Sequence, residues 1–218
     1  MAEVTLRKLF DLLGEQVESS GWWPGESRFE IAVGAILTQN TAWTNVDAAL
    51  ANLRVRGLLD PHALAGAPLD ELGELIRPAG FYRAKSRYLH GLAEWFLTND
   101  ARASREPTDR LRLELLDLVG VGEETADDLL LYIYRRPMFI YDAYGRRLLD
   151  AAGFGTYRTY RQAKRAVDPL VGAAGFTQPE LAAFHGLIVD AGKVAGRLGG
   201  WESAFPLLRR HQFGDAEV

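Results

Sequence analysis

The chain has no cysteine among its 218 residues. That excludes disulfides, thiolate zinc sites, cysteine nucleophiles and cysteine-held iron–sulfur clusters. Its four histidines (His62, His90, His185 and His211) are scattered, with no pair at metal-ligand spacing, so no bound metal is expected. No apolar run approaches the ~18 residues of a membrane span; Asp, Arg or Gly breaks the longest ones, and no membrane partner is expected. The N-terminal MAEVTLRKLFDLLGE is amphipathic and mixed in charge, without the apolar core of a signal peptide, which predicts a soluble intracellular protein. Positive charge is also scarce. Lys and Arg total 25 against 29 Asp and Glu, a net −4, which taken alone argues weakly against a nucleic-acid partner. Finally, no segment alternates with period two for long enough to require a sheet.

What is present is helical periodicity in a globular composition, 48% hydrophobic and 25% charged. The length suits one large domain or two small ones sharing a cleft, and folding should bury roughly 70% of the extended chain's surface. Leu6, Phe10, Leu13 and Val17 mark one stripe of a first helix. Phe29 to Leu37 is apolar almost all round and belongs in a core. Asp60-Pro61 and Pro68-Leu69-Asp70 open short helices, and Phe81-Tyr82 opens another whose core face is Tyr88, Leu92, Trp95 and Phe96. A helix is predicted over Leu111–Val119, a longer one from Glu123 to Tyr134, and four more over 143–152, 157–172, 178–194 and 201–210. The expected fold class is all-α, with roughly ten short helices.

Two stretches carry chemistry. Leu118-Val119-Gly120-Val121-Gly122-Glu123-Glu124-Thr125-Ala126 lies between two helices. Two glycines flanking one valine make a tight hairpin that can turn N–H groups outward, and the next helix adds its own unpaired amides and positive dipole end. The plain alternative is an ordinary helix–helix turn. Further on, Ile140-Tyr141-Asp142-Ala143-Tyr144-Gly145-Arg146-Arg147 places Asp142 just before a helix, where it reads as an N-cap. A cap carboxylate at a cleft can keep one oxygen for other work, so the two readings are compatible.

Together these stretches resemble the helix–hairpin–helix and downstream Asp of the endonuclease III superfamily of DNA glycosylases, whose form is Leu-Pro-Gly-Val-Gly-x-x-Thr-Ala followed by Val-Asp. Three further segments are similar to that family and collinear with it over about 20–194: Ala35-Ile36-Leu37-Thr38-Gln39-Asn40-Thr41, Phe81-Tyr82-Arg83-Ala84-Lys85-Ser86 and Phe184-His185-Gly186-Leu187-Ile188-Val189. The resemblance implies two helical subdomains flanking a cleft. One is a six-helix barrel over 20–136 with the hairpin motif at about 111–134; the other is built from 1–19 and 137–218. It implies a damaged base in double-stranded DNA as partner, a monomer, and a cytoplasmic, nucleoid-associated location. Asp142 becomes the catalytic carboxylate. Gln39, Gly120, Val121, Gly122, Thr125 and Arg146 become DNA contacts, with Gln39 filling the gap left by a flipped nucleotide. For Gln39 the alternative is a helix C-cap amide. Lys85 is expected to be a solvated lysine or a phosphate contact, not a catalytic group.

The departures are informative. Relatives that also cut the backbone carry lysine where this chain has Glu124, and a carboxylate cannot form a Schiff base with the sugar. A monofunctional enzyme is implied, although a first-turn glutamate also suits the helix dipole. Many relatives hold an iron–sulfur cluster; here that region must close by packing, with Trp201 and Phe205 as candidates, and no cofactor is expected beyond a monovalent cation at the hairpin. Val119 stands where the family's hairpin has proline.

Trp22-Trp23-Pro24 and Trp43 are similar to the base pocket of the cluster-free 3-methyladenine DNA glycosylases of this superfamily; core packing is the alternative for each tryptophan. A cationic alkylated purine gains about 1–2 kcal/mol against aromatic faces when desolvated. It is already a good leaving group, so Asp142 alone could serve the sugar cation and the water. Neutral mismatched thymine or adenine would need a proton donor, with Glu30 and Glu94 as candidates. The remaining alternatives are an endonuclease III-like enzyme and a non-catalytic hairpin protein that only binds DNA. Between Leu131 and Arg165, eight basic residues (Arg135, Arg136, Arg146, Arg147, Arg158, Arg161, Lys164, Arg165) face two acids, Asp142 and Asp150. That local +6 is compatible with DNA despite the net charge.

Overall fold

The structure, a computed structural model, describes residues 5–19, 23–206 and 208; Trp22 lies outside them. All regular structure among the described residues is helical. The chain forms two compact units, Met1–Trp23 with Pro137–Val218, and Pro24–Arg136.

The first unit opens with α1 (Leu6–Gln16), capped by the Thr5 hydroxyl, which accepts from the Lys8 N–H and buries Leu6, Leu9 and Leu13. The second unit then runs from α2 to α8. In α2 (Arg28–Leu37), capped by Ser27, every residue except Arg28 and Ile31 is buried, as its all-round apolar sequence predicts. It packs against α3 (Trp43–Val55). Asp60 caps α4 (Pro61–Gly66), with proline in the first turn, and α5 (Leu69–Leu75) follows. A single 3₁₀ turn, Arg77–Ala79, leads into α6 (Tyr82–Ala103).

At 22 residues α6 is no short helix, and its core face is Leu89, Leu92, Ala93, Trp95 and Phe96. Tyr88 is not part of that face: it is half-buried, with its ring against Gly120. After α7 (Thr108–Leu116), α8 (Glu123–Asp128) does not continue as α-helix to Tyr134. It widens into a π-turn over Leu129–Ile133, so Leu129, Leu130, Leu131 and Ile133 are all buried.

Returning to the first unit, Asp142 caps α9 (Ala143–Ala151). Complete capping boxes open α10 (Tyr160–Ala174) and α11 (Gln178–Arg197); Thr159 starts α10 three residues later than the periodicity suggests. α11 packs on α9, α1 and the short α12 (Trp201–Ala204). Phe10, Phe139, Phe176 and Phe184 meet at centroid distances of 5.3–5.7 Å, binding α1 to α11.

Candidate active site

The hairpin between α7 and α8 is closed by the Val121 N–H donating to Leu118 O at 3.0 Å. Gly120 turns it with φ +88°, and a β-carbon there would fall 2.2 Å from the Tyr88 ring, so both backbone and packing require glycine. Gly122 is the N-cap of α8 and supplies no side chain to the first-turn amides. Val119 is 78% exposed at the tip, while Val121 is buried beneath it. Arg112 braces the motif, its Nε donating to the fully buried Asp127 at 2.6 Å and tying α7 to α8.

Gln39, in the turn after α2, reaches this hairpin. Its Nε2 donates to Gly120 O at 2.9 Å and to the buried Thr125 hydroxyl at 3.0 Å, so its amide caps the hairpin and not its own helix. The Thr125 hydroxyl is thus turned inward, toward Gln39. Lys85 overturns its sequence expectation. It is 2% exposed, and its ammonium donates to Leu37 O, Gln39 O and Ala79 O at 2.8–2.9 Å. Burial lowers its pKa. Three carbonyls match three ammonium protons, which explains why a lysine tolerates this depth.

That ammonium also fixes the ground under Phe81, two residues after Ala79. Phe81 is 69% exposed and holds a left-handed backbone at φ 47°, ψ 29°. A bulky residue in that conformation is strained. The sequence signal was only a Phe after Gly80, and periodicity cannot distinguish such a residue from a core aromatic.

In the first unit, Asp142 sits where its sequence predicts. Oδ1 accepts from the Gly145 N–H at 2.6 Å, and the side chain keeps 14% of its surface exposed. A β-carbon on Gly145 would lie 2.9 Å from Ile140 O and 3.2 Å from Asp142 Oδ1, so the cap depends on glycine. Oδ2 lies 4.0 Å from Nε2 of His185, a neighbour that sequence reasoning did not pick out. His185 is 6% exposed on α11, and burial pushes its pKa down to about 3, leaving the imidazole neutral. Arg146, one turn into α9, donates to Tyr141 O at 2.6 Å.

Of the aromatic segment, Trp23 is buried in the first unit; in the second, Pro24 is exposed and Trp43 is half-buried at the start of α3. Not all of the basic stretch is available either. Arg136 donates to Ser104 O and Glu106 O, and Lys164 pairs with Asp168 at 3.1 Å. Arg147, Arg158, Arg161 and Arg165 are exposed.

An iron–sulfur cluster does not fit this chain. It has no thiolate ligand, and no cluster of three or more potential metal-binding side chains occurs among the described residues. Instead Trp201 and Phe205 are buried with ring centroids 5.6 Å apart, and α12 packs on α9 and α11.

A braced glycine hairpin on an all-helical scaffold, with a capped aspartate downstream, defines a helix–hairpin–helix protein. The family described as HhH-GPD superfamily base excision DNA repair protein matches residues 33–171. A Methanocaldococcus jannaschii protein named as a candidate DNA repair glycosylase is 42% identical over 151 residues, 67% of this chain and 69% of its own. Endonuclease III of Sulfolobus acidocaldarius is 27% identical over 168 residues, 76% of this chain and 72% of that enzyme. A crystal structure of H. pylori 3-methyladenine DNA glycosylase bound to 1,N6-ethenoadenine matches with a TM-score of 0.73 at 27% identity, covering 87% of this chain and 98% of that one. The chain belongs to the HhH-GPD superfamily of base excision DNA repair proteins.

Proposed function

We propose that the protein is a monofunctional DNA glycosylase of base excision repair. It flips an alkylated purine, 3-methyladenine foremost, out of duplex DNA and hydrolyses its N-glycosyl bond to leave an abasic site. The observation that carries this reading is the geometry of Asp142. Its cap bond to Gly145 anchors one carboxylate oxygen, and the charge of the partly exposed carboxylate is assigned to the developing sugar cation and the attacking water.

The rest of the assignment follows the chemistry. Position 124 is an exposed glutamate in the first turn of α8, so the hairpin offers no amine for a Schiff base. The backbone amides of Gly120, Gly122 and Thr125 grip a phosphate, the Val121 amide being engaged with Leu118 O, and Arg146 adds a cationic contact. Gln39 fills the space of the flipped nucleotide, exchanging its bonds to Gly120 and Thr125 for bonds to the duplex. Exposed Phe81 is a second residue suited to enter the stack. Trp22, Trp23, Pro24 and Trp43 are assigned to the base, whose positive charge favours aromatic faces.

An alkylated purine also agrees with the state of one candidate proton donor. Glu30 is buried, accepts the Glu26 N–H and pairs with Arg54. A neutral mismatched base would need a proton donor, whereas Glu30 is already engaged by the Glu26 N–H and by Arg54. The solved H. pylori relative is a 3-methyladenine DNA glycosylase, which supports the same substrate class.

Asp142→Asn keeps a cap acceptor while removing the charge. It is expected to reduce base excision by at least about 100-fold, the scale of a lost charge-stabilising group, with DNA affinity within about threefold. Near wild-type excision by this variant would remove Asp142 from the mechanism.

A further inference from the structure

His185 is not among the residues that the proposed reaction uses, yet it lies against the reacting end of Asp142. The Gly145 N–H anchors Oδ1, and the direction of Oδ2 is set by the groups that face it. Nε2 of His185 stands 4.0 Å from Oδ2, on a helix that packs directly against α9. That distance is a contact, longer than a hydrogen bond, and catalytic bonds of this kind commonly tighten when substrate closes the site.

We propose that His185 is a positioning residue for Asp142: its imidazole presents an Nε2–H to Oδ2 and holds the carboxylate plane toward the sugar. This inference rests on the reading of Asp142 as the catalytic carboxylate. The physical logic is specific to a neutral donor. An imidazolium at this distance would partly cancel the negative charge meant for the oxocarbenium ion, whereas a neutral N–H orients the oxygen and leaves the charge in place. Burial in α11 keeps the ring neutral. Three points then fix the carboxylate: its own cap position, the Gly145 amide and the imidazole.

The test compares His185→Leu, which has no donor, with His185→Gln, whose side-chain amide can replace Nε2–H. Both are assayed on methylated duplex DNA beside the unmodified protein and Asp142→Asn. A mis-set carboxylate should lower kcat by roughly 10- to 100-fold in His185→Leu, with KM for DNA unchanged and most of the rate restored in His185→Gln. A His185→Leu variant with wild-type kcat, or equal losses in both variants accompanied by a raised KM, would overturn the proposal.

Asp142→Asn separates the two claims. If it stays active, the reading of Asp142 itself fails; if it is inactive while His185→Leu is fully active, only the role of His185 fails. Should His185→Leu not fold, ¹⁵N NMR of the imidazole in the unmodified protein decides the matter. A proton on Nε2 supports the proposal, and a proton on Nδ1 alone contradicts it.

Discussion

A carboxylate at a helix N-cap normally spends its charge on the helix it starts. Asp142 spends half of it, because Gly145 lets the backbone close on one oxygen at 2.6 Å and the other oxygen points to His185. Asp142 was legible as a cap and as a motif residue, since both depend on neighbours in sequence. His185 was not, because its burial and its approach to Asp142 come from the packing of α11 on α9. Lys85 was not legible for the same reason: carbonyls from two segments, the end of α2 with its turn and the 3₁₀ turn, converge on it. The buried imidazole has a measurable consequence. In the unfolded chain it takes up a proton as pH falls through about 6.5, while in the folded protein it resists until about 3. The unfolded state therefore binds more protons in that window, so the stability is full above about 6.5 and lost as pH falls toward 3. Between about pH 7 and pH 5 the Tm of the wild type should drop more than that of His185→Gln. Parallel curves from thermal melts would contradict this.

At the level of elements, the hairpin works because α6 supports it from below. Tyr88 fills the space where a Gly120 side chain would be, Arg112 locks α7 to Asp127 of α8, and Gln39 ties down Gly120 and Thr125. Helix existence and most starts were readable, since caps such as Ser27, Asp60 and Thr177 are local signals. The π-turn at Leu129–Ile133 was not, because it is set by burial of consecutive leucines on more than one side. Nor could periodicity show that Tyr88 faces a loop while Leu89 faces the core. Gly120→Ala meets both a strained φ and the Tyr88 ring. It should weaken DNA binding about tenfold or more through the displaced amides, while far-UV circular dichroism stays helical. Unchanged affinity in fluorescence anisotropy would mean that the hairpin does not grip the phosphate.

For the whole molecule, a net charge of −4 has to be reconciled with a polyanionic partner. Overall charge governs solubility and long-range steering, whereas binding depends on where the cations stand. The exposed Arg147, Arg158, Arg161 and Arg165 lie in the first unit, where 12 Lys and Arg balance 12 Asp and Glu, and the excess of acid falls in the second unit, with 17 Asp and Glu against 13 Lys and Arg. Affinity should therefore fall steeply with salt, and Arg146→Ala should reduce the slope of log K against log salt by about one. An unchanged slope would remove Arg146 from the contact set. Family and fold class were legible because several short motifs are collinear over most of the chain. The damaged base was not, because its pocket depends on how side chains distant in sequence come together. The most direct measurement is base release from methylated duplex DNA, followed by strand analysis with and without alkali. Free 3-methyladenine, with breaks appearing only after alkali, is the predicted result. No released base, or strand breaks without alkali, would contradict a monofunctional alkylpurine glycosylase.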